Sequence, residues 1–387
     1  MSKTKLFETF AFAKGITLRN RVVMAPMTTW SGNEDGTISS EELTYYRRRA
    51  KGVGLVLTGC THVMANGIGF TGEFAAYDDD FTPSLRRLAE AAKSGGAPAI
   101  LQIFHAGNKA NPELIPGGEI VSASALKVAP GPFNSGEVTT RALSHGEIID
   151  VVAAFGEATR RAIEAGFDGI ELHGAHGFLI QNFFSPLFNR RDDEWGGSLE
   201  NRLRFPLAVV HEVRRMIDLH ARRSFLLGYR ISPEEPDQGG LRINDSYELL
   251  DRLIQSGVDY VHVSLSSILG AKPIDGADER RTIELILDRV AGRIPVIAAG
   301  QIRKPEQAEN ALELGLSLVA VGQGLVINPD WVKLAQFDDA DQIDIGLRMS
   351  KVSEIALPAK LREVIEATTG WFNIEPEAPS LPQHAAA

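Results

Sequence analysis

The chain has 387 residues and a formal net charge of −10, set by 50 acidic against 40 basic side chains. That balance argues against nucleic acid as a partner, because phosphate binding needs a basic surface. The single cysteine, Cys60, excludes a disulfide framework, an iron–sulfur cluster and a multi-cysteine zinc site, and fits a reducing, cytoplasmic setting. At the N-terminus, Met1 to Phe7 hold no apolar core of a secretory signal, and no later run is long and apolar enough for a membrane span. Short apolar, β-branched runs then recur, and strands are expected at 21–25, 54–58, 99–104, 169–172, 225–231, 260–264, 296–299 and 318–321. The runs are continuously apolar rather than alternating, as in parallel strands covered on both faces. Between them lie amphipathic helical stretches, among them 85–93, 155–165 and 305–314, the last with Pro305 in its first turn. Two long polar connections, 106–144 and 174–201, follow the third and fourth strands, and loops of that length in compact domains are usually functional or disordered. Residues 338–372 read as a helical extension with Trp371 and Phe372 as an apolar anchor; from 373 the chain reads as a disordered tail, rich in proline and ending Ala-Ala-Ala.

Eight strand–helix units predict an α/β fold, a (β/α)8 TIM barrel with a C-terminal helical extension. A doubly wound sheet is the runner-up, weakened by the strand count and by the absence of a Gly-x-Gly-x-x-Gly turn. No linker or repeat divides residues 1–372, which are read as one domain. The densest chemistry lies in 166–202. An apolar strand ends in His173 and His176, Phe178 follows, and then comes a polar loop with Asn189, Arg191, Asp193, Trp195, Gly196, Gly197, Asn201 and Arg202. Two histidines three apart, with no cysteine nearby and no His-Glu-x-x-His spacing, do not predict a metal site. Arg230 stands inside the apolar run 225–231, where a guanidinium is costly to bury without an anionic partner. Glycine-bearing ends of the last two strands, Gly300-Gln301 and Gly322-Gln323, stand where barrels bind phosphate.

The block from His173 to Arg202, with Asn20-Arg21 through Thr28, Gln102-x-x-His105-Ala106-Gly107, Arg230-x-Ser232 and Asn328-Pro329-Asp330-Trp331, resembles the old yellow enzyme family over roughly residues 6–331. The resemblance implies a barrel holding FMN at the C-terminal ends of its strands. It implies reduction by NADH or NADPH, then hydride transfer to an electron-poor alkene. It also assigns roles. Ala25, Pro26, Met27 and Thr28 would lie along the flavin's central ring, and Cys60 near the flavin, itself a small buried residue rather than a nucleophile. Gln102 would meet the pyrimidine edge, where an amide can both donate and accept. Arg230 would offset the negative charge of the reduced flavin. Gly300, Gln301, Gly322 and Gln323 would surround the phosphate; position 323 is commonly arginine in the family, and Arg303 is close enough in sequence to compensate. His173 and His176 would donate two hydrogen bonds to an acceptor oxygen. Trp30 would wall the substrate pocket or pack in the core. His105 is assigned no chemistry, and the polar residues of 189–202 are read as loop scaffold.

One position departs from the family's chemistry. Many members carry tyrosine where Phe178 stands, and its hydroxyl protonates the substrate's α-carbon; phenylalanine cannot. The expected function is therefore an NAD(P)H-dependent FMN oxidoreductase acting on a small electron-poor acceptor, either an activated alkene, a quinone or a nitro compound, with alkene protonation in doubt. Two alternatives stand beside it: a redox-neutral FMN enzyme of the isomerase type, and a non-catalytic flavin-binding protein. No membrane partner is expected. Trp371-Phe372 packs on its own barrel or completes a neighbour's pocket, and the reading leans to a homodimer.

Overall fold

The computed structural model describes residues 4–128, 137–276, 278–337 and 339–375. Eight parallel strands close into a barrel: β1 (Val22–Met24), β2 (Leu55–Leu57), β3 (Ala99–Phe104), β4 (Gly169–Gly174), β5 (Leu226–Ile231), β6 (Tyr260–Ser264), β7 (Val296–Ala299) and β8 (Leu318–Val321). Each pairs with the next, and β8 returns to β1 with Val319 opposite Val22. The expected strands differ from these by at most two residues at either end. Their apolar runs have a direct cause, since every residue of β3, β4 and β5 is buried, one face in the barrel and the other under helices.

The helices follow from local signals. The helix before β4, His145–Ala165, starts with a capping box between Ser144 and Glu147 and ends at Gly166, whose φ of 91° few other residues adopt. A short antiparallel hairpin, Phe10–Ala11 with Thr17–Leu18, precedes the barrel. Its Phe12 and Leu18 pack with Val23, Leu55, Ile100, Leu226, Tyr260 and Leu318 into an apolar cluster that closes the end where the strands begin. The open end is the one where the strands finish, and both long connections emerge there.

The C-terminal extension is less helical than expected. Its one α-helix is Ala359–Ala367, preceded by 3-10 turns and by Leu347–Arg348, which pairs in parallel with Ile374–Glu375. Paired backbone thus runs past residue 372, where the tail was expected to begin; residues 376–387 lie outside the described residues. Arg49, fully buried, fastens the extension: its guanidinium donates to the carbonyls of Val326, Ile355 and Ala356. Among the described residues, no helix is long and apolar enough to cross a membrane.

Candidate active site

Two cavities adjoin at the open end of the barrel. One, of about 420 Å³, lies over β1, β3, β4 and β5; the other, of about 510 Å³, lies over β6, β7 and β8. Pro26, Met27, Arg230 and Trp371 line both, so the two form one elongated site of a size usual for small-molecule ligands. Every residue expected at the flavin, its phosphate or the acceptor lines it. Thr28, Trp30, Cys60, Gln102, His173, His176 and Phe178 line the first cavity, and Ala25, Gly300, Gln301, Gly322 and Gln323 line the second.

The floor of the first cavity is a buried polar network. Glu171, fully buried on β4, accepts from Gln102 Nε2 at 2.7 Å and from the Tyr260 hydroxyl at 3.1 Å, and meets His262 Nδ1 at 3.1 Å. Burial raises the carboxyl of Glu171, but the charges of His262 and Arg230 and its hydrogen bonds outweigh that and hold it below its ordinary value. With one amide hydrogen committed to Glu171, Gln102 keeps its carbonyl and a second hydrogen for a ligand. Sequence reading missed this network. Its signal was a carboxylate in the middle of the apolar strand Gly169-Ile-Glu-Leu, the same signal that singled out Arg230. Arg230 is 6% exposed; it donates to Ser264 Oγ at 3.1 Å, and its Nε is buried with no partner. An unpaired guanidinium nitrogen is expensive to bury and calls for an acceptor in the cavity.

The two histidines are neutral donors. Burial first, then the charges of His176 and Arg230, keep His173 well below its ordinary value. For His176 burial again comes first, and the charges of Arg230 and Lys109 follow, although solvent reaches its ring through the cavity. The backbone N–H of Ala175 donates to His173 Nδ1 at 3.4 Å, which places the ring proton on Nε2. His176 Nε2 lies 2.7 Å from Ser264 Oγ. Arg230 already donates to that oxygen, so the serine hydroxyl is free to donate to Nε2, leaving the His176 proton on Nδ1. The backbone bends sharply here: His176 has φ 59°, and its N–H is held by Ser232 Oγ at 3.0 Å. The ring centroids lie 5.0 Å apart, and both rings border the cavity.

Phe178 adds no polar atom. Its ring packs edge-on against His173 at 4.8 Å and Phe104 at 4.7 Å. Trp30 meets Trp371 edge-on at 5.6 Å, and the two rings wall the cavity opposite the histidines. Lys109, which sequence reading passed over, also lines this cavity; its Nζ donates to His176 O at 2.6 Å. Burial pushes the Cys60 thiol up, so it is protonated and no nucleophile. The His105 ring meets Asn66 Oδ1 at 3.2 Å and accepts from the Gly107 N–H at 3.0 Å. The loop residues make backbone contacts: Asn189 donates to the carbonyls of Phe183 and Trp195, and Arg191 to those of Ala123 and Leu143.

In the second cavity Gln323 spends its amide on Trp371 O at 2.6 Å, so it tethers the extension. Arg303 lines the same cavity, and its Nη1 is buried with no partner. Gly300 and Gly322 leave no room for a side chain: a Cβ would fall 2.7 Å from Leu265 O at the first and 3.0 Å from Met27 Sδ at the second. Unpartnered guanidinium nitrogens in both cavities, an amide with both functions, and a glycine-floored recess form a donor set that fits FMN.

Residues 5–342 match the model of the NADH:flavin oxidoreductase / NADH oxidase family. A probable NADH-dependent flavin oxidoreductase of Bacillus subtilis is 43% identical over 367 residues, 95% of this chain and 97% of that protein. An NADH:fumarate oxidoreductase of Klebsiella pneumoniae is 39% identical over 363 residues, 93% of this chain but only 39% of that longer protein. Among solved structures, the old yellow enzyme homologue from Zymomonas mobilis superposes with a TM-score of 0.75 at 25% identity, covering 87% of this chain and 93% of that one.

Proposed function

We propose, since the chain belongs to the NADH:flavin oxidoreductase / NADH oxidase family, that it is an FMN enzyme taking reducing equivalents from NADH or NADPH and passing them to a small electron-poor acceptor anchored by His173 and His176. The observation that carries this is the elongated site itself, with two neutral histidine donors beside Arg230, whose Nε has no partner, at one end and Arg303, whose Nη1 has none, at the other. FMN, when bound, supplies a two-electron carrier between the nucleotide and the acceptor. The chain's residues bind and bias it. Gln102 offers an acceptor and a donor to a heterocycle edge, and Arg230 a fixed cation for negative charge in a buried setting. Pro26 and Met27 line both cavities, and Thr28 lines the first. His173 Nε2–H and His176 Nδ1–H hold the acceptor's oxygen and stabilise charge that grows on it. Acceptors whose reduction needs no carbon protonation, quinones and nitro compounds, suit Phe178; enones need a proton from elsewhere. Trp371 lines the cavity of its own chain, so the site needs no second copy, and the homodimer and a cytoplasmic setting are proposals separate from the reaction.

Two measurements test the cofactor half of this reading. Purified protein should show the absorbance of an oxidised flavin or acquire it with added FMN; a colourless protein that binds no FMN refutes the reading. Arg303→Ala should weaken FMN about 10- to 100-fold, the equivalent of the ~1.5–3 kcal/mol of a hydrogen bond to a charged group. Riboflavin, which lacks the phosphate, should bind Arg303→Ala as it binds the parent protein in the same fluorescence titration. Equal losses for both ligands would show that Arg303 does not face the phosphate.

A further inference from the structure

The first cavity holds one more cation than the flavin reading uses. Lys109 follows β3, and its Nζ stands 6.0 Å from the centre of the Phe178 ring, on that side of the cavity. One N–H is spent on His176 O, and no carboxylate bonds to the ammonium among the described residues. The same side chain also lines a neighbouring groove of about 630 Å³, together with His176, Gly177, Gln181 and Glu235. Lys109 thus bridges the enclosed cavity and a more open channel to solvent.

Reducing an activated alkene requires a hydride at the β-carbon and a proton at the α-carbon. The cavity's hydrogens can be sorted by acidity. Phe178 has none to give. The Cys60 thiol is pushed up by burial. His173 and His176 are neutral, and their N–H groups are the donors to the acceptor's oxygen. The Thr28 and Thr368 hydroxyls are too weakly acidic, and Arg230 does not release a proton. The ammonium of Lys109 remains.

We propose that Lys109 is the general acid for alkene reduction, giving its proton to the α-carbon of an enone held by His173 and His176. This rests on the flavin reading above. FMN, when bound, would supply the hydride for the β-C–H bond, while the alkene π electrons shift toward the carbonyl oxygen held by the histidines. As the carbonyl re-forms, the α-carbon takes a proton from Nζ. Lysine is left as the neutral amine and recovers a proton from water in the neighbouring groove. The balance is two electrons and one hydrogen from the flavin and one proton from lysine.

Burial lowers the Lys109 ammonium below its ordinary value, and Glu235 opposes that shift. The other charged and titratable groups near it are His173 on β4, His176 just after it and Arg230 on β5, and Lys127, Arg190, Glu234 and Asp237 around the groove. A lysine shifted downward is a better acid near neutral pH. The sign of its pH effect is fixed: the protonated form works, so alkene turnover falls as pH rises through the Lys109 pKa.

The test compares Lys109→Gln, which has no charge, with Lys109→Arg, which keeps the charge but yields no proton. The ratio of enone to quinone turnover should drop at least about tenfold in both. Adding Phe178→Tyr to Lys109→Gln should restore it. An NMR titration of the lysine ε-carbon, with Lys109 identified by its loss in Lys109→Arg, should give a pKa that matches the high-pH fall of enone turnover. If Lys109→Arg keeps the parent ratio, the lysine acts only by charge and the proposal is overturned. If Lys109→Gln keeps both ratio and pH profile, it is overturned outright. Flavin absorbance and its bleaching by nucleotide before any acceptor is added, read in every variant, separate these results from a failure of the flavin reading itself.

Discussion

Replacing His173 or His176 by alanine is expected to slow reoxidation of the reduced enzyme by an enone about 100- to 1000-fold, the usual loss for one preorganised oxyanion donor. The effect should be this large because both donors are held in one orientation before the acceptor binds. His173 is buried, and its proton is fixed on Nε2 by the Ala175 N–H; His176 is fixed by the Arg230–Ser264 relay. Both rings stay neutral, so each loses a directed N–H rather than a charge. Asparagine or glutamine keeps an N–H and should recover part of the rate. Rapid mixing of photoreduced protein with acceptor reads the step alone. A change below about threefold for both alanine variants would contradict the role given to the pair.

Phe178→Tyr should raise the ratio of enone to quinone turnover, with a ceiling set by the ~100- to 10,000-fold that a general acid contributes. The new hydroxyl would extend from a ring already fixed edge-on between His173 and Phe104. The full gain is expected only in Lys109→Gln, where the cavity otherwise has no acid; with Lys109 present the gain should be smaller. Unchanged enone turnover in both backgrounds, with FMN still bound, would show that α-carbon protonation never limited the enzyme.

Much of this was readable from residues whose cost is hard to explain otherwise. Eight continuously apolar runs specified eight doubly covered strands, and the barrel places their C-terminal ends together. An arginine inside 225–231 and paired histidines at the end of β4 marked the site because burial without a partner would be unfavourable. Glu171 carried the same signal and was missed, since its partners Gln102, Tyr260 and His262 come from two other strands, β3 and β6, and meet it only when the barrel closes. Lys109 was illegible for another reason. A lysine in a polar loop is ordinarily solvated, and only the fold turns this one toward Phe178. Gln323 lines the second cavity, and its bond to Trp371 O is a contact across the extension that spacing along the chain does not encode. The extension itself was expected to be helical through much of its length. Its single helix, Ala359–Ala367, shares the segment with turns held by Arg49 and the paired strand at Ile374–Glu375.

The most direct test of the central claim is anaerobic mixing of the FMN-bound protein with NADH and, separately, NADPH, followed by an enone, a quinone or a nitro compound. The account predicts bleaching of the flavin absorbance by at least one nucleotide and its return on adding acceptor, with His173→Ala and His176→Ala slowed in the return when the acceptor is an enone. Flavin that stays oxidised with both nucleotides would contradict the oxidoreductase reading and favour a redox-neutral flavin enzyme.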